Sequence, residues 1–153
     1  MKKVLTLKNV GFFLFAAIVI LFLDRTVKEL VLQYYTADIE VIPNFFKFTF
    51  QQNTGVAFGM KLPYVIQLIL FPVLLIFGFY VVTTQLDFNK PSVQIISGCI
   101  AGAALSNFID RIIYQHVIDY ISVSIYPVFN IADAFISVGI FLLIIFYGKM
   151  KKV

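Results

Sequence analysis

The sequence has few of the residues on which many enzyme mechanisms depend, with one cysteine, one histidine and no tryptophan. Cys99 has no cysteine or histidine partner at ligand spacing, so we predict neither a disulfide nor a zinc site and interpret Cys99 as a packing residue. His116 lies in no G-x-S-x-G or H-E-x-x-H motif, which argues against a serine hydrolase and a zinc protease. We interpret His116 as a polar residue at the membrane interface.

Charged residues are also scarce. They make up 13% of the 153 residues, whereas 61% are hydrophobic, above the roughly 45–50% of soluble domains. The net charge of +4 reflects lysines that flank apolar segments near both ends of the chain. We interpret these lysines as membrane topology signals and expect no nucleic-acid partner. They are Lys2, Lys3, Lys8, Lys149, Lys151 and Lys152.

Four apolar segments predict transmembrane helices, because about 20 apolar residues are needed to cross a bilayer. We expect one membrane-embedded domain, residues 1–153, folded as an all-α bundle of four transmembrane helices with both termini in the cytoplasm. The first helix is expected to be an uncleaved anchor, because Asp24 and Arg25 follow its apolar run in place of a small-residue cleavage site. The predicted spans are approximately 9–33, 62–85, 91–113 and 131–149.

Two local patterns add detail to this bundle. Phenylalanine occupies every second position over residues 46–50, which predicts a half-buried strand and thus a small β-like region in the first extracytoplasmic loop. Gly98, Gly102 and Ser106 lie four residues apart in the third span and form a small-residue ridge that lets another helix approach closely. We therefore expect the third helix at the centre of the bundle.

The unusual polar residues gather at the span ends that this topology places outside. A run of 15 uncharged residues separates Lys8 from Asp24, and an equal run separates Asp133 from Lys149. Each run is about 22 Å of helix, less than the roughly 30 Å of hydrocarbon. Asp24 and Asp133 are therefore expected at or just below the outer interface, where ionisable groups are functional candidates.

Two carboxylates in one site of low dielectric constant suit proteolysis, because one keeps its proton while the other activates water. By spacing alone, four acids compete for this role: Asp24, Asp110, Asp119 and Asp133.

Structural interpretations stand beside this functional one. Asp24 could pair with Lys28, four residues along the same helix face. Asn130 or Asp133 could cap the fourth helix. Asp119 could be a solvated residue of the second outer loop.

Five blocks of the sequence resemble, in order, the signature blocks of type II signal peptidases, and they span nearly the whole chain. The last three blocks together are highly specific to that family. The five blocks are LDRTVK (23–28), QNTGVAF (52–58), GAALSNFIDR (102–111), HVIDY (116–120) and YPVFNIADA (126–134).

The resemblance implies which residues form the site. The family's two catalytic aspartates correspond to Asp119 and Asp133, so Asp110 is not a catalytic candidate. The supporting residues shape the site and contact the substrate backbone and lipid head. They correspond to Asp24, Lys28, Asn53, Gly55, Asn107, Asp110, Arg111, Asn130 and Ala132.

The resemblance also implies an aspartic-type endopeptidase of the bacterial cytoplasmic (inner) membrane, with its active site on the extracytoplasmic side. Its reaction is removal of the signal peptide from diacylglyceryl-modified prolipoproteins, by cleavage N-terminal to the lipidated cysteine. No metal or organic cofactor is required. The implied partners are prolipoprotein substrates and membrane lipids, and we expect a monomer.

Some positions depart from the family pattern. Ser106 stands where glycine is common, Ala134 where serine is common, and Tyr120 where phenylalanine is usual. The connection between Asp119 and Asp133 is also shorter than the family pattern, which bears on the size of the outer loop and on substrate preference.

Two alternatives belong to other functional classes. A small proton-coupled transporter or channel subunit would also use membrane acids, but the inner halves of the spans have no ionisable residues to continue a relay. An inactive lipopeptide-binding homologue is the other alternative, for which the departures at Ser106 and Ala134 leave room.

Overall fold

The computed structural model describes residues 10–55 and 62–152, which form a mostly helical protein with one small antiparallel sheet. The N-terminal lysines and residues 56–58 of the QNTGVAF block lie outside the described residues. The helices are α1 (Gly11–Tyr34), α2 (Tyr64–Gln85), α3 (Pro91–Tyr114), α4 (Ile131–Ile145) and α5 (Tyr147–Met150). The strands are β1 (Ile39–Ile42), β2 (Phe46–Asn53) and β3 (Val117–Val123).

Each predicted span overlaps one of the four long helices. Both α2 and α3 are long and apolar enough to cross a membrane, whereas α4 is apolar but has only 15 residues. The last predicted span also covers all but the final residue of the short α5, which follows a break in the helix at Phe146. α1 and α3 each carry charged residues in their second half, and two of them are buried in each helix.

The small-residue ridge of α3 packs directly against α1, as its spacing predicts. A Cβ atom added to Gly98 would lie 2.3 Å from the Phe13 carbonyl oxygen, and one added to Gly102 would lie 2.2 Å from that of Ala17. No side chain fits in these gaps, so the two backbones can approach only at glycine. α3 also packs against α2 and α4, which places it at the centre of the bundle.

The predicted strand is confirmed as β2, the middle strand of a three-stranded sheet with the order β1–β2–β3. Its pairing with β3 is antiparallel and places Asn53 opposite Val117. The interpretation of Asp119 as a solvated loop residue is wrong, because Asp119 lies in β3 and is fully buried. Pairing with a strand more than 60 residues earlier makes this segment a strand, and local sequence carries little of that information.

At the other end of the bundle, the chain after α5 joins the connection between α2 and α3. Leu86 and Lys151 form an antiparallel bridge, and the Asp87 backbone N–H donates to the Met150 carbonyl over 2.8 Å. The Phe88 ring packs 5.8 Å from the Phe13 ring. This apolar cluster closes the bundle opposite the sheet.

Candidate active site

The site begins on α1, where Asp24 and Lys28 are completely buried one helical turn apart. The Lys28 Nζ atom lies 2.8 Å from the Asp24 Oδ2 atom and 2.7 Å from the Asp110 Oδ2 atom. It also donates to Asn107 Oδ1 over 2.8 Å. The ion pair suggested by the four-residue spacing is present, and it extends to α3. A buried ammonium needs such a full set of partners, because an unpaired buried charge is costly.

Asp24 joins three helices through its two oxygen atoms. The Ser106 hydroxyl on α3 donates to Oδ2 over 2.6 Å, and the Ala132 backbone N–H on α4 donates to Oδ1 over 3.0 Å. Ser106, one of the departures from the family pattern, thus supplies a hydrogen bond that glycine lacks. Asp24 thus binds groups on α1, α3 and α4 and links the three helices.

Asp110 is also neutralised. Its Oδ2 atom faces Lys28, and its Oδ1 atom accepts a hydrogen bond from the Arg25 guanidinium. Oδ2 also accepts from the Ile118 backbone N–H over 3.2 Å, so Asp110 fixes the backbone of β3 next to Asp119. Two of the four competing acids, Asp24 and Asp110, are therefore held in ion pairs.

Asp119 has a different environment, with two amides in place of cations. Its Oδ2 atom accepts from Asn53 Nδ2 over 2.8 Å, and its Oδ1 atom accepts from Asn130 Nδ2 over 2.7 Å. Burial, together with the negative charge of Asp133, raises the pKa of Asp119 to about 7, and the two amide hydrogen bonds offset part of that increase. Asp119 can therefore hold or release a proton near neutral pH.

Asp133 lies at the third position of α4 and forms a capping box with Asn130. The Asp133 backbone N–H donates to Asn130 Oδ1 over 2.8 Å, and the Asn130 backbone N–H donates to Asp133 Oδ2 over 3.3 Å. The capping interpretation from the sequence is thus confirmed. The same cap leaves Asp133 Oδ1 to accept from Asn107 Nδ2 over 2.8 Å, and the side chain is only partly buried.

Asn107 and Asn130 connect the ion pairs to the two remaining acids. Asn107 Oδ1 accepts from both Lys28 and Asn130 Nδ2, the latter over 3.1 Å, while its amide binds Asp133. Within residues 10–55 and 62–152, neither Asp119 nor Asp133 forms an ion pair. Two acids without cations, linked by shared amides, can divide one proton between them.

The short connection between β3 and α4 sets this arrangement. Ile121 and Phe129 exchange backbone hydrogen bonds of 2.8 and 3.0 Å, so the chain turns back at once after β3. Asn130 then lies beside the strand, where its Nδ2 also reaches the Ile118 carbonyl over 3.3 Å. Tyr120, the third departure, has a buried ring, and its hydroxyl accepts from the Ile131 backbone N–H over 3.3 Å.

Arg111 forms the side of the site nearest α2. Its guanidinium donates to Gln67 Oε1 over 3.1 Å, to the Asn107 carbonyl over 3.1 Å and to the Gly55 carbonyl over 3.4 Å. It also lies over the Phe71 ring, 3.9 Å from its centroid. The cation is thus directed to α2 and to the end of β2, and it forms no ion pair with an acid in the part of the chain that the structure describes.

The structure brings the predicted site residues together at the end of the bundle that carries the sheet. They are Asp24, Lys28, Asn53, Gly55, Asn107, Asp110, Arg111, Asp119, Asn130, Ala132 and Asp133. His116 lies beside this network, with its partly exposed ring 6.0 Å from that of Tyr114.

Three contributing residues were not among the predicted ones. Arg25 and Ser106 hold Asp110 and Asp24, and Gln67 holds Arg111. The available signal for Gln67 was a single amide in a strongly apolar span. In the described part of the chain, no three histidine, cysteine or acidic side chains are arranged to hold a metal ion.

The fold and site define a helical membrane protein in which Asp119 on the small sheet and Asp133 at the start of α4 form no ion pair with any described residue. A family model described as "Signal peptidase (SPase) II" matches residues 16–148. The chain belongs to the signal peptidase II family and is therefore a membrane protease.

Relatives and solved structures agree with this membership. The "Lipoprotein signal peptidase" of Halothermothrix orenii is 34% identical over 138 residues, which is 89% of this chain and 94% of that protein. That of Pelotomaculum thermopropionicum is 38% identical over 134 residues, covering 86% of this chain and 88% of that protein. A solved structure described as a bacterial membrane enzyme is 28% identical, with a TM-score of 0.79 over 92% of this chain and 89% of that one.

Proposed function

We propose that this protein is an aspartic-type endopeptidase that removes the signal peptide from diacylglyceryl-modified prolipoproteins, cutting N-terminal to the lipidated cysteine. Membership of the signal peptidase II family supports the reaction class. The observation that supports the mechanism is the difference in partners among the four acids of the site. Asp24 and Asp110 are in ion pairs, whereas the partners of Asp119 and Asp133 among the described residues are amides and backbone N–H groups.

In the proposed mechanism the dyad of Asp119 and Asp133 shares one proton. The ionised carboxylate takes a proton from a water molecule as the water oxygen attacks the scissile carbonyl carbon. The protonated carboxyl donates its proton to the carbonyl oxygen, which gives a neutral tetrahedral diol. As the diol collapses and the C–N bond breaks, the ionised carboxylate takes the proton of one diol hydroxyl and the protonated carboxyl donates its proton to the leaving nitrogen. The dyad therefore again holds one proton.

The neighbouring amides suit this proton exchange. Asn53 and Asn130 donate to Asp119, and Asn107 donates to Asp133, so each ionised carboxylate is stabilised without a cation that would hold it permanently charged. Because Asp133 is partly exposed, water and substrate can approach the dyad from its side.

We further propose that the protein is a monomer whose four long helices all cross the bacterial cytoplasmic (inner) membrane. Both termini then lie inside and the sheet lies outside. The lysines near the chain ends support this orientation. Four exposed apolar residues support contact between the β1 hairpin and membrane lipids or the substrate's acyl chains. They are Ile39, Val41, Ile42 and Phe45.

The experiment that tests the function is cleavage of a diacylglyceryl-modified prolipoprotein by the purified protein in detergent. Asp119→Asn and Asp133→Asn should each lower kcat by roughly three orders of magnitude or more, because neither leaves a dyad that shares a proton. Asp87→Asn is the matched control, because Asp87 lies in the connection at the opposite end of the bundle. This variant should cleave the substrate at the wild-type rate. An unlipidated substrate should not be cleaved.

Correctly inserted Asp119→Asn and Asp133→Asn proteins that still process the substrate would exclude the dyad. A well-folded wild type without cleavage would exclude the proposed function. Family membership does not favour the transporter or channel alternative, or the inactive homologue.

A further inference from the structure

One side chain connects α2 to the site through polar contacts. Within α2, all of whose 22 residues are described, Gln67 is the one buried residue and is 3% exposed. The other α2 side chains face outward or are half-buried among apolar neighbours. A buried amide in an apolar helix is costly unless it is fully hydrogen-bonded, so polar residues in such helices commonly serve function.

Gln67 uses both ends of its amide. Its Nε2 atom donates to the Thr54 carbonyl over 3.0 Å and to the Leu62 carbonyl over 2.8 Å. Its Oε1 atom accepts from the Arg111 Nε atom over 3.1 Å. Both amide hydrogens and one acceptor site are therefore occupied, and the side chain ties the start of α2 to the end of β2 and to α3.

The point that Gln67 holds is adjacent to the dyad. Thr54 directly follows Asn53, whose Nδ2 donates to Asp119. The Gly55 backbone N–H donates back to Asn53 Oδ1 over 3.0 Å, and Arg111 donates to the Gly55 carbonyl. Asn53 is thus oriented by a short turn, and Gln67 fixes the backbone of that turn from outside.

We propose that Gln67 is a positioning residue for the cleavage reaction, holding the end of β2 so that Asn53 keeps its hydrogen bond to Asp119. This inference rests on the proposed function for its kinetic consequence. Gln67 does not contact Asp119 or Asp133, and it acts through Asn53. A displacement of about 1 Å at a catalytic group is enough to cost a large factor in rate.

Two substitutions remove different hydrogen bonds of Gln67. In Gln67→Met the new side chain is of similar size, and every side-chain hydrogen bond is lost. Gln67→Glu keeps an acceptor for Arg111 but loses the donors to Thr54 and Leu62. Both variants should lower kcat by about tenfold or more with KM within about twofold, because the holding of β2 is lost in each. Wild-type kcat in a folded Gln67→Glu protein would overturn the inference.

The matched control is Gln94→Met. Gln94 is also a buried glutamine, 4% exposed, and its Nε2 donates to the Phe88 carbonyl over 2.9 Å. It lies 13 residues before Asn107 on α3, about 20 Å away along the helix. This variant loses a buried amide but should keep kcat within about twofold of the wild type.

A double-mutant cycle with Asn53→Ala separates positioning from general destabilisation. If Gln67 acts through Asn53, adding Gln67→Met to Asn53→Ala should lower kcat by less than about twofold further. If Gln67 only stabilises the fold, the two losses should multiply, and that result would overturn the inference. Gln67→Glu supplies the same comparison should Gln67→Met not insert.

Hydrogen–deuterium exchange of the purified protein gives a readout that does not need cleavage. The Gly55 amide should exchange about tenfold faster or more in both Gln67 variants, with no change in Gln94→Met. Unchanged exchange in the Gln67 variants would overturn the inference even if the wild type cleaves its substrate. Faster exchange together with an inactive wild type would support the contact role of Gln67 and reject the proposed function.

Discussion

At the residue scale, the partners of each acid decide its chemistry. Asp24 and Asp110 form ion pairs with Lys28, whereas Asp119 and Asp133 accept hydrogen bonds from side-chain amides. A carboxylate held by a buried cation releases that interaction only at high cost. In the proposed mechanism it is therefore Asp119 and Asp133 that exchange protons.

The pH dependence of cleavage should report this pair. The pKa of Asp119 is raised to about 7, so its proton is lost as the pH rises through that value. Because the active dyad holds one proton, kcat/KM should fall above about pH 7, and it should also fall in acid when both carboxyls are protonated. Rates measured from about pH 4 to about pH 9 test this prediction.

The Asn53→Ala variant tests whether Asp119 sets the alkaline limb of the pH profile. Asn53→Ala removes a donor that favours the ionised form of Asp119, so the pKa should rise and the alkaline limb should move to higher pH. Asp38→Asn, in the exposed hairpin, should leave the limb in place. An alkaline limb that stays fixed in Asn53→Ala would contradict the assignment of that limb to Asp119.

The buried ammonium group of Lys28 should contribute much more to the free energy of unfolding than the ammonium group of an exposed lysine. Lys28→Met leaves Asp24 without its cation, and we expect a loss of about 3 kcal/mol or more in the free energy of unfolding. Lys47→Met is the control, because Lys47 pairs over 2.5 Å with the exposed Asp38 and should change stability little. Thermal unfolding in detergent measures both. Equal losses in the two variants would contradict the burial argument.

At the element scale, the first turn of α4 serves two purposes. The capping box of Asn130 and Asp133 satisfies free N–H groups at the helix start, and it places both side chains next to β3. The capping interpretation of these residues is therefore confirmed, and the cap is compatible with the proposed catalytic role of Asp133. The site is built from a helix terminus because the terminus already fixes the two side chains.

The close packing of α1 on α3 is a second requirement at this scale. Gly102→Ala would place a Cβ 2.2 Å from the Ala17 carbonyl oxygen, so the helices must separate. We expect a loss of about 2 kcal/mol in stability and a lower cleavage rate, because Ser106 and Asp24 meet one turn further along. Stability in detergent and kcat are the measurements.

Gly78→Ala is the matched control, since nothing lies within 4 Å of a Cβ added there. Alanine also has a higher helix propensity than glycine, so this variant should be at least as stable as the wild type. If Gly102→Ala behaves like Gly78→Ala, the packing of α1 on α3 is not a constraint.

At the scale of the whole molecule, the sheet and the helix ends enclose the site while the opposite end is closed by apolar packing. The proposed orientation places the sheet on the extracytoplasmic side of the membrane. In a Cys99→Ala background, single cysteines at Glu40→Cys on β1 and Asn89→Cys between α2 and α3 can be tested in intact cells. A membrane-impermeant maleimide should label the first directly and the second only after permeabilisation. The reverse pattern would invert the orientation.

The sequence alone determined the four helical segments, the central small-residue ridge and the β2 strand, because each depends on local composition and period. It also singled out the acids and amides that gather at one end. Their residue types and their resemblance to a known family were sufficient to predict the family to which the chain belongs.

The tertiary structure decided which acids are neutralised and which are not, because that depends on cations and amides from other elements. Lys28 is on α1 but neutralises Asp110 on α3, and Asn53 reaches Asp119 only because β2 pairs with β3. The tertiary structure also decided the burial of Asp119 and the contacts of Gln67. Burial, pairing and electrostatics are sums over neighbours distant in sequence, so no local pattern contains them.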